Sequence, residues 1–210
     1  MFWNCYEGLA SNLKLSYPST SKRSLGIAGE DSRNRDITKF ERSRYAKLEN
    51  SAIMYTDGPA FETYGPGYNT MNNTHLYFID WSVTDISSID QTVKFTGTGN
   101  VFSHNTVELA GASSTIIPGD AATVEFNNIF NVARLQTDCS GIHLMMPHQS
   151  NTIIKNNWVH DFPGYAQFGK TKKTGQKLKK NCLGFFRSKT LKTSFYVLKV
   201  LTSKTQKNFF

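Results

Sequence analysis

A ten-residue phrase recurs along this chain at solenoid spacing. ATVEFNNIFN, Ala122 to Asn131, returns as NTIIKNNWVH, Asn151 to His160, and GNVFSHNTVE, Gly99 to Glu108, precedes both. A fourth copy opens at Asn69 and runs to Asn73. Taking Asn73, Asn105, Asn128 and Asn157 as the pivotal positions, the intervals are 32, 23 and 29 residues. A period of that size implies stacked supersecondary units, each burying its apolar face against the next.

Within each copy the apolar spacing is two, which is a strand. Val101, Val124 and Ile153 stand four residues before the pivotal asparagine, and Val107, Phe130 and Val159 two after it. This places them and the asparagine on one face. An amide on an apolar face is satisfied if it bonds the equivalent amide one coil away, so the four asparagines are expected to form a ladder. In the first copy Asp80 competes with Asn73 for that position. Lys155 breaks the inward parity and is expected to mark a bend or the edge of the stack. The expected fold is all-β, a right-handed parallel β-helix of four or five coils over residues 50–166. A leucine-rich repeat would need a run of leucines that the chain lacks. Asn50 to Gly58 can supply a further strand ending in an Asp-Gly turn.

The flanks read differently. Residues 1–49 are polar and irregular, a possible cap, with a short helix expected from Asp36 to Leu48 on the apolar positions Ile37, Phe40, Tyr45 and Leu48. The formal charge is +8, but residues 167–210 hold 12 of the 24 Lys and Arg and no Asp or Glu. That tail has three readings: an electrostatic binder of anionic polymer, a solvated extension, or residues foreign to the fold through read-through or a shifted frame. The last makes the chain a fragment. Nucleic acid is an unfavoured partner, because no spacing identifies a nucleic-acid module. Three cysteines far apart give no disulfide framework. No signal peptide is visible, and no stretch approaches the ~18 apolar residues of a membrane span. Asn72-Asn-Thr74 is a glycosylation sequon. The sequence does not address oligomeric state.

The stretch NVARLQTDCSGIH, Asn131 to His143, flanked by the two clear repeats, resembles the pectin-lyase-like superfamily of right-handed β-helices. Its similarity is to secreted polysaccharide-processing members, which carry an Arg-Leu-Gln-(Ser/Thr)-Asp-Gly type of turn between coils. Cys139 stands where that pattern has glycine. The superfamily includes lyases, hydrolases, epimerases and non-catalytic surface proteins, so the resemblance implies an extracellular polysaccharide partner without choosing a reaction.

Chemistry on such a scaffold belongs to loops along one flank. Hydrolysis of a glycoside needs two carboxylates, and Asp138 with Asp161 is the candidate pair. β-Elimination from a uronate needs a base, such as Arg134, Lys155 or His143, and a cation, Ca²⁺ if not a side chain, on the substrate carboxylate. No other cofactor is implied. Arg134 and Asp138 equally suit an ion pair bracing a turn, His143 a structural role, and His160-Asp161 a strand end. Gln136 and His160 are candidate substrate contacts. Tyr55, Tyr64 and Tyr68, with Trp81, offer faces for sugar rings, and Asp57 and Glu62 can accept from hydroxyls; an aromatic loop packed over the first coil is the alternative. His104 and Glu108 read as solvated. Metal-ligand spacing is absent, since His143 and His148 lack a third ligand.

Overall fold

The computed structural model describes residues 2–18, 38–81, 91–111, 114–132, 134–135, 140–144 and 149–161. They form a parallel β-helix of about six coils, each contributing one strand to each of three sheets. The first coil comprises β1 (Phe2–Trp3), β2 (Leu9–Ser11) and β3 (Lys14–Ser16), and the second β4 (Lys39–Glu41), β5 (Lys47–Glu49) and β6 (Ala52–Met54). Next come β7 (Phe61–Tyr64), β8 (Thr70–Asn72) and β9 (His75–Ile79), then β10 (Gln91–Phe95), β11 (Val101–Ser103) and β12 (Thr106–Ala110). The stack continues through β13 (Ser114–Ile117), β14 (Thr123–Glu125) and β15 (Asn128–Phe130) to β16 (Ser140–Ile142), β17 (Ile153–Lys155) and β18 (Trp158–His160). Every pairing is parallel and joins strands one coil apart, which gives three sheets of six strands.

Five strands, β1 to β5, precede residue 50, so the stack exceeds the four or five coils expected. They are hard to see in sequence because a three-residue strand turns only its central residue inward. Ala10, Leu48, Met71, Phe102, Val124 and Ile154 are in register in the second sheet. Leu15, Ile53, Leu76, Val107, Ile129 and Val159 line up in the third. The inner members of both columns are fully buried, each contributing roughly 1.5–3 kcal/mol. Of the helix expected over Asp36–Leu48, the described residues 38–48 form none: Phe40 and Leu48 are core residues of two strands, and Tyr45 sits on the turn between them. Their helix-like spacing is an accident of coil geometry.

The second corner, between the second and third sheets, explains the repeat. Its first residue is left-handed in every coil: Asn12, Asn50, Asn73, His104, Phe126 and Asn156 have φ between 46° and 58°. Asparagine tolerates that region best among residues other than glycine, and it fills four of these six positions. The corner's second residue forms the ladder. Asn127 Oδ1 accepts from the Asn105 backbone N–H at 2.8 Å and its Nδ2 at 3.2 Å. Asn127 Nδ2 donates to Asn157 Oδ1 at 2.8 Å and to the Phe102 carbonyl at 2.9 Å. Asn105 Oδ1 in turn accepts from the Thr74 N–H, at 2.9 Å.

The ladder therefore holds Asn105, Asn127 and Asn157, continued by Thr74. Two expected members are corrected. Asn73 is the left-handed residue beside the ladder and donates from Nδ2 to Asn50 Oδ1 at 2.7 Å. Asn128 is the outward first residue of β15. The cause is a change of parity, because a left-handed residue turns the chain, so alternation cannot be counted through it. Core positions lie three before and two after the ladder residue. Val101 and Ile153 consequently sit beside the buried Phe102 and the partly buried Ile154 on the outside, and Phe130 gives way to the buried Ile129. Lys155 faces outward too, 3.0 Å from Glu125, on β17, the edge strand of its sheet among the described residues, and the chain turns at the left-handed Asn156 that follows. Asp80 is buried off the ladder, where its carboxylate accepts from Thr92 Oγ1 at 3.1 Å.

A second, shorter ladder lies at the first corner, between the first and second sheets. Asn69 Oδ1 accepts from the Ala46 N–H at 3.0 Å, and Asn100 Oδ1 from the Asn69 N–H at 2.9 Å. The basic tail lies outside the described residues.

Candidate functional site

The outer face of the third sheet carries the chemistry most suited to a long ligand. Because only central residues turn inward, the first and third residue of each strand face out. Register then aligns two columns: His75, Thr106, Asn128 and Trp158 in one, Tyr77, Glu108, Phe130 and His160 in the other. At one end His160 is held on four sides. Its ring stacks on Phe130 at 5.0 Å and on Trp158 at 4.0 Å. Its Nε2 lies 2.9 Å from Asn128 Oδ1 and its Nδ1 2.7 Å from Asp161 Oδ2. Trp158 remains 52 % exposed, so its indole presents a flat apolar surface beside fixed hydrogen-bonding groups.

At the third corner, where the third sheet leads back to the first, a further run of rings borders this face. Tyr17 stacks on Tyr55 at 5.1 Å, and Tyr55 packs edge-on to Tyr77 at 5.7 Å. Phe78 lies 5.9 Å from Tyr55 and stacks on Trp81 at 4.2 Å. Across the sheet, an open hollow of about 280 Å³ is lined by Asn50, Ser51, Asn73, Thr74, His75, His104 and Thr106. His75 Nε2 is 3.6 Å from Glu108 Oε2, and His104 stacks on Phe126 at 5.1 Å.

The structure distributes the residues singled out in the sequence around the coil. Tyr55 borders the third-sheet face, and His160 and Asp161 lie at its end. Arg134 follows β15 on the third corner, exposed, its N–H donating to the Ala110 carbonyl at 3.1 Å. Gln136 and Asp138 lie outside the described residues. His143 sits at the other end of the first sheet, after β16, so it does not join Arg134 and Asp161 on the third corner. The tyrosine segment also does not stay together. Tyr55 is on the third corner, Glu62 and Tyr64 are on β7, and Tyr68 is on the first corner over Tyr45 at 5.4 Å. Asp57 lies between the first two of these places. A triangular coil sends neighbouring stretches in different directions, which dissolves a cluster that is compact only in sequence.

Tyr17, Tyr77, Phe78 and Trp158 were missed by sequence reasoning. The available signal was an aromatic at, or within two residues of, the last residue of β3, β6, β9, β15 and β18. Among the described residues, no three His, Cys, Asp or Glu come together to hold a metal ion, and no helix is long and apolar enough to cross a membrane. No protein family, curated protein or solved structure matches the chain.

Proposed function

We propose that the protein binds an extracellular polysaccharide laid across the coils on the outer face of the third sheet, and that it belongs with the pectin-lyase-like β-helices. One observation supports the binding reading: over four coils one sheet face carries the rings of Tyr77, Phe130 and Trp158 among the hydrogen-bonding side chains of His75, Glu108, Asn128 and His160, with Trp158 exposed at its end beside Asp161. Rings take the apolar faces of sugars and the amides and carboxylates take their hydroxyls. Strand spacing of about 4.8 Å repeats that offer along the stack, which suits a polymer better than a small molecule.

Cleavage would require a second carboxylate roughly 5–10 Å from Asp161. Asp138 is the sequence candidate, and Asp161 itself is engaged by His160. Binding is therefore the reading best supported. Affinity electrophoresis against neutral and acidic polysaccharides tests it: at least one should retard the protein, and Trp158→Ala should weaken retention roughly tenfold, the scale of one lost stacking contact. No retardation by any polymer, or equal retardation of the variant, would sink the proposal. Release of new chain ends by the protein, lost in Asp161→Asn, would add catalysis; retention without release identifies a non-catalytic surface module.

A further inference from the structure

On the outer face of the second sheet, Asn72 ends β8 between Glu49 of the coil before and Ser103 of the coil after. Its Oδ1 accepts from Ser103 Oγ at 3.0 Å. The two arms of a planar amide diverge, so anchoring the oxygen on the sheet turns Nδ2 away from Ser103. Among the described residues that nitrogen bonds nothing, and it is not buried. The outward residues at the other end of these strands are Lys47, Thr70 and Val101, so no aromatic side chain crowds the ground around it.

Two residues on stands Thr74. This is the only place in the chain where Ser or Thr follows an asparagine at that distance. Coil geometry explains why. Two places after a corner asparagine the chain normally turns a core residue inward, as with Met71 after Asn69, Phe102 after Asn100, Val107 after Asn105 and Ile129 after Asn127. Asn72 escapes that rule because it ends a strand, and its second successor is the polar residue that continues the ladder. The residue between, Asn73, is not proline. The stretch therefore meets the requirement for an N-linked glycan acceptor.

In the folded protein the hydroxyl is out of reach. Thr74 is 1 % exposed, its Oγ1 donates to the Asn72 carbonyl at 3.1 Å, and its N–H donates to Asn105 Oδ1 at 2.9 Å. Asn73 is locked between them in the left-handed region, with φ of 46°. A transferase reads the hydroxyl together with the amide, in an extended peptide. It meets both only before this turn has formed.

We infer that Asn72 is an N-glycosylation site, filled on the unfolded chain before the third coil closes. This rests on the extracellular part of the proposed function, and it adds a covalent modification and its timing. The co-reactant is an oligosaccharide carried on a lipid pyrophosphate. Asn72 Nδ2 bonds the anomeric carbon as that carbon's bond to the pyrophosphate oxygen breaks. The amide releases one proton, and the lipid pyrophosphate leaves with the bonding pair. The linked nitrogen keeps one hydrogen, and Oδ1 keeps its bond to Ser103. The glycan then stands on the second sheet, across the second corner from the third-sheet face, and leaves that face open to a polymer.

To test the site, the full-length chain with an added cleavable signal peptide is translated in the presence of microsomes. The product is then treated with peptide N-glycosidase in heavy-oxygen water. A single glycoform is expected, and the oxygen label should fall on the peptide that holds residue 72. Asn72→Gln should abolish the glycoform with the far-ultraviolet spectrum unchanged, and Thr74→Ser, which keeps the hydroxyl, should retain it. The folded, unglycosylated chain is also offered to the purified transferase with lipid-linked oligosaccharide. It should be modified at least tenfold more slowly than a free peptide of residues 69–77, because its Thr74 is reached only through local opening. Protein isolated from its own source should carry the glycan on the same peptide.

An unshifted product, a label elsewhere, a glycoform that survives Asn72→Gln, or a bare Asn72 in the protein from its own source would each overturn the site. Equal rates on folded chain and peptide would overturn the timing. If Asn72 carries the glycan but no polysaccharide retards the protein, the third-sheet proposal fails and this inference stands. If a polysaccharide retards the protein while Asn72 stays bare, this inference alone fails.

Discussion

Adjacent asparagines in this chain do different work. In Asn127-Asn128 the first is the ladder residue and the second faces solvent; in Asn156-Asn157 the first takes the left-handed turn and the second is the ladder residue. Replacing Asn127 by Ala removes the acceptor of the Asn105 N–H and the donor to the Phe102 carbonyl, leaving buried groups unpaired. That should cost about 3 kcal/mol, since each orphaned group contributes ~1–3 kcal/mol. Asn128→Ala loses one contact to His160 near the surface and should cost under ~1 kcal/mol. Urea midpoints of the two variants decide the matter, and the reverse order would restore the ladder counted from sequence. From sequence alone the two frames are nearly indistinguishable, because both place an asparagine in each of the last three coils. Only the hydrogen bonds separate them.

At the level of the strand and its corner, inward and outward positions can be told apart by substitution. Phe102 is fully buried, whereas Val101 beside it faces out. Phe102→Ala should cost ~3–5 kcal/mol and Val101→Thr well under 1 kcal/mol, by denaturant titration. The corners give a prediction of opposite sign. Ala121 holds a left-handed φ of 47° without the local hydrogen bonding that reconciles asparagine to that region. Ala121→Gly relieves a cost of ~1–2 kcal/mol and gives back part of it through chain entropy, so a net gain of about 0.5 kcal/mol is expected. A fall in midpoint would mean the Ala121 methyl packs more favourably than its backbone is strained. The period-two pattern is interrupted even in the longer strands β9 and β12, whose buried residues stand three apart (Leu76 and Ile79, Val107 and Ala110) because Phe78 and Leu109 are left-handed. It failed in β2, β3 and β5, where one apolar residue sits among lysines, serines and glutamates.

Across the whole molecule, stability should behave as a sum over neighbouring coils. The first coil covers Phe40, Leu48 and Ile53 through Phe2, Ala10 and Leu15. Deleting residues 1–18 should therefore lower the thermal midpoint while preserving the β-type far-ultraviolet spectrum. Loss of all secondary structure would instead show that the stack is one indivisible unit. The proposed polymer-binding face belongs to this scale as well, since it draws single residues from several coils.

The sequence alone determined that the chain is a parallel β-solenoid, because a ten-residue strand phrase recurring every 23 to 32 residues can bury its apolar face only against its own next copy. It also carried the need for asparagine at the corners, as a polar side chain recurring beside a core must be satisfied by its neighbour above or below. Tertiary structure decided the register, the number of coils and which side chains meet. The left-handed corners reset the alternation, so facing direction is a property of the turn and cannot be counted along the chain. The Trp158–His160 face arises likewise only from stacking, which brings Asn128 and Phe130 of one coil against His160 of the next.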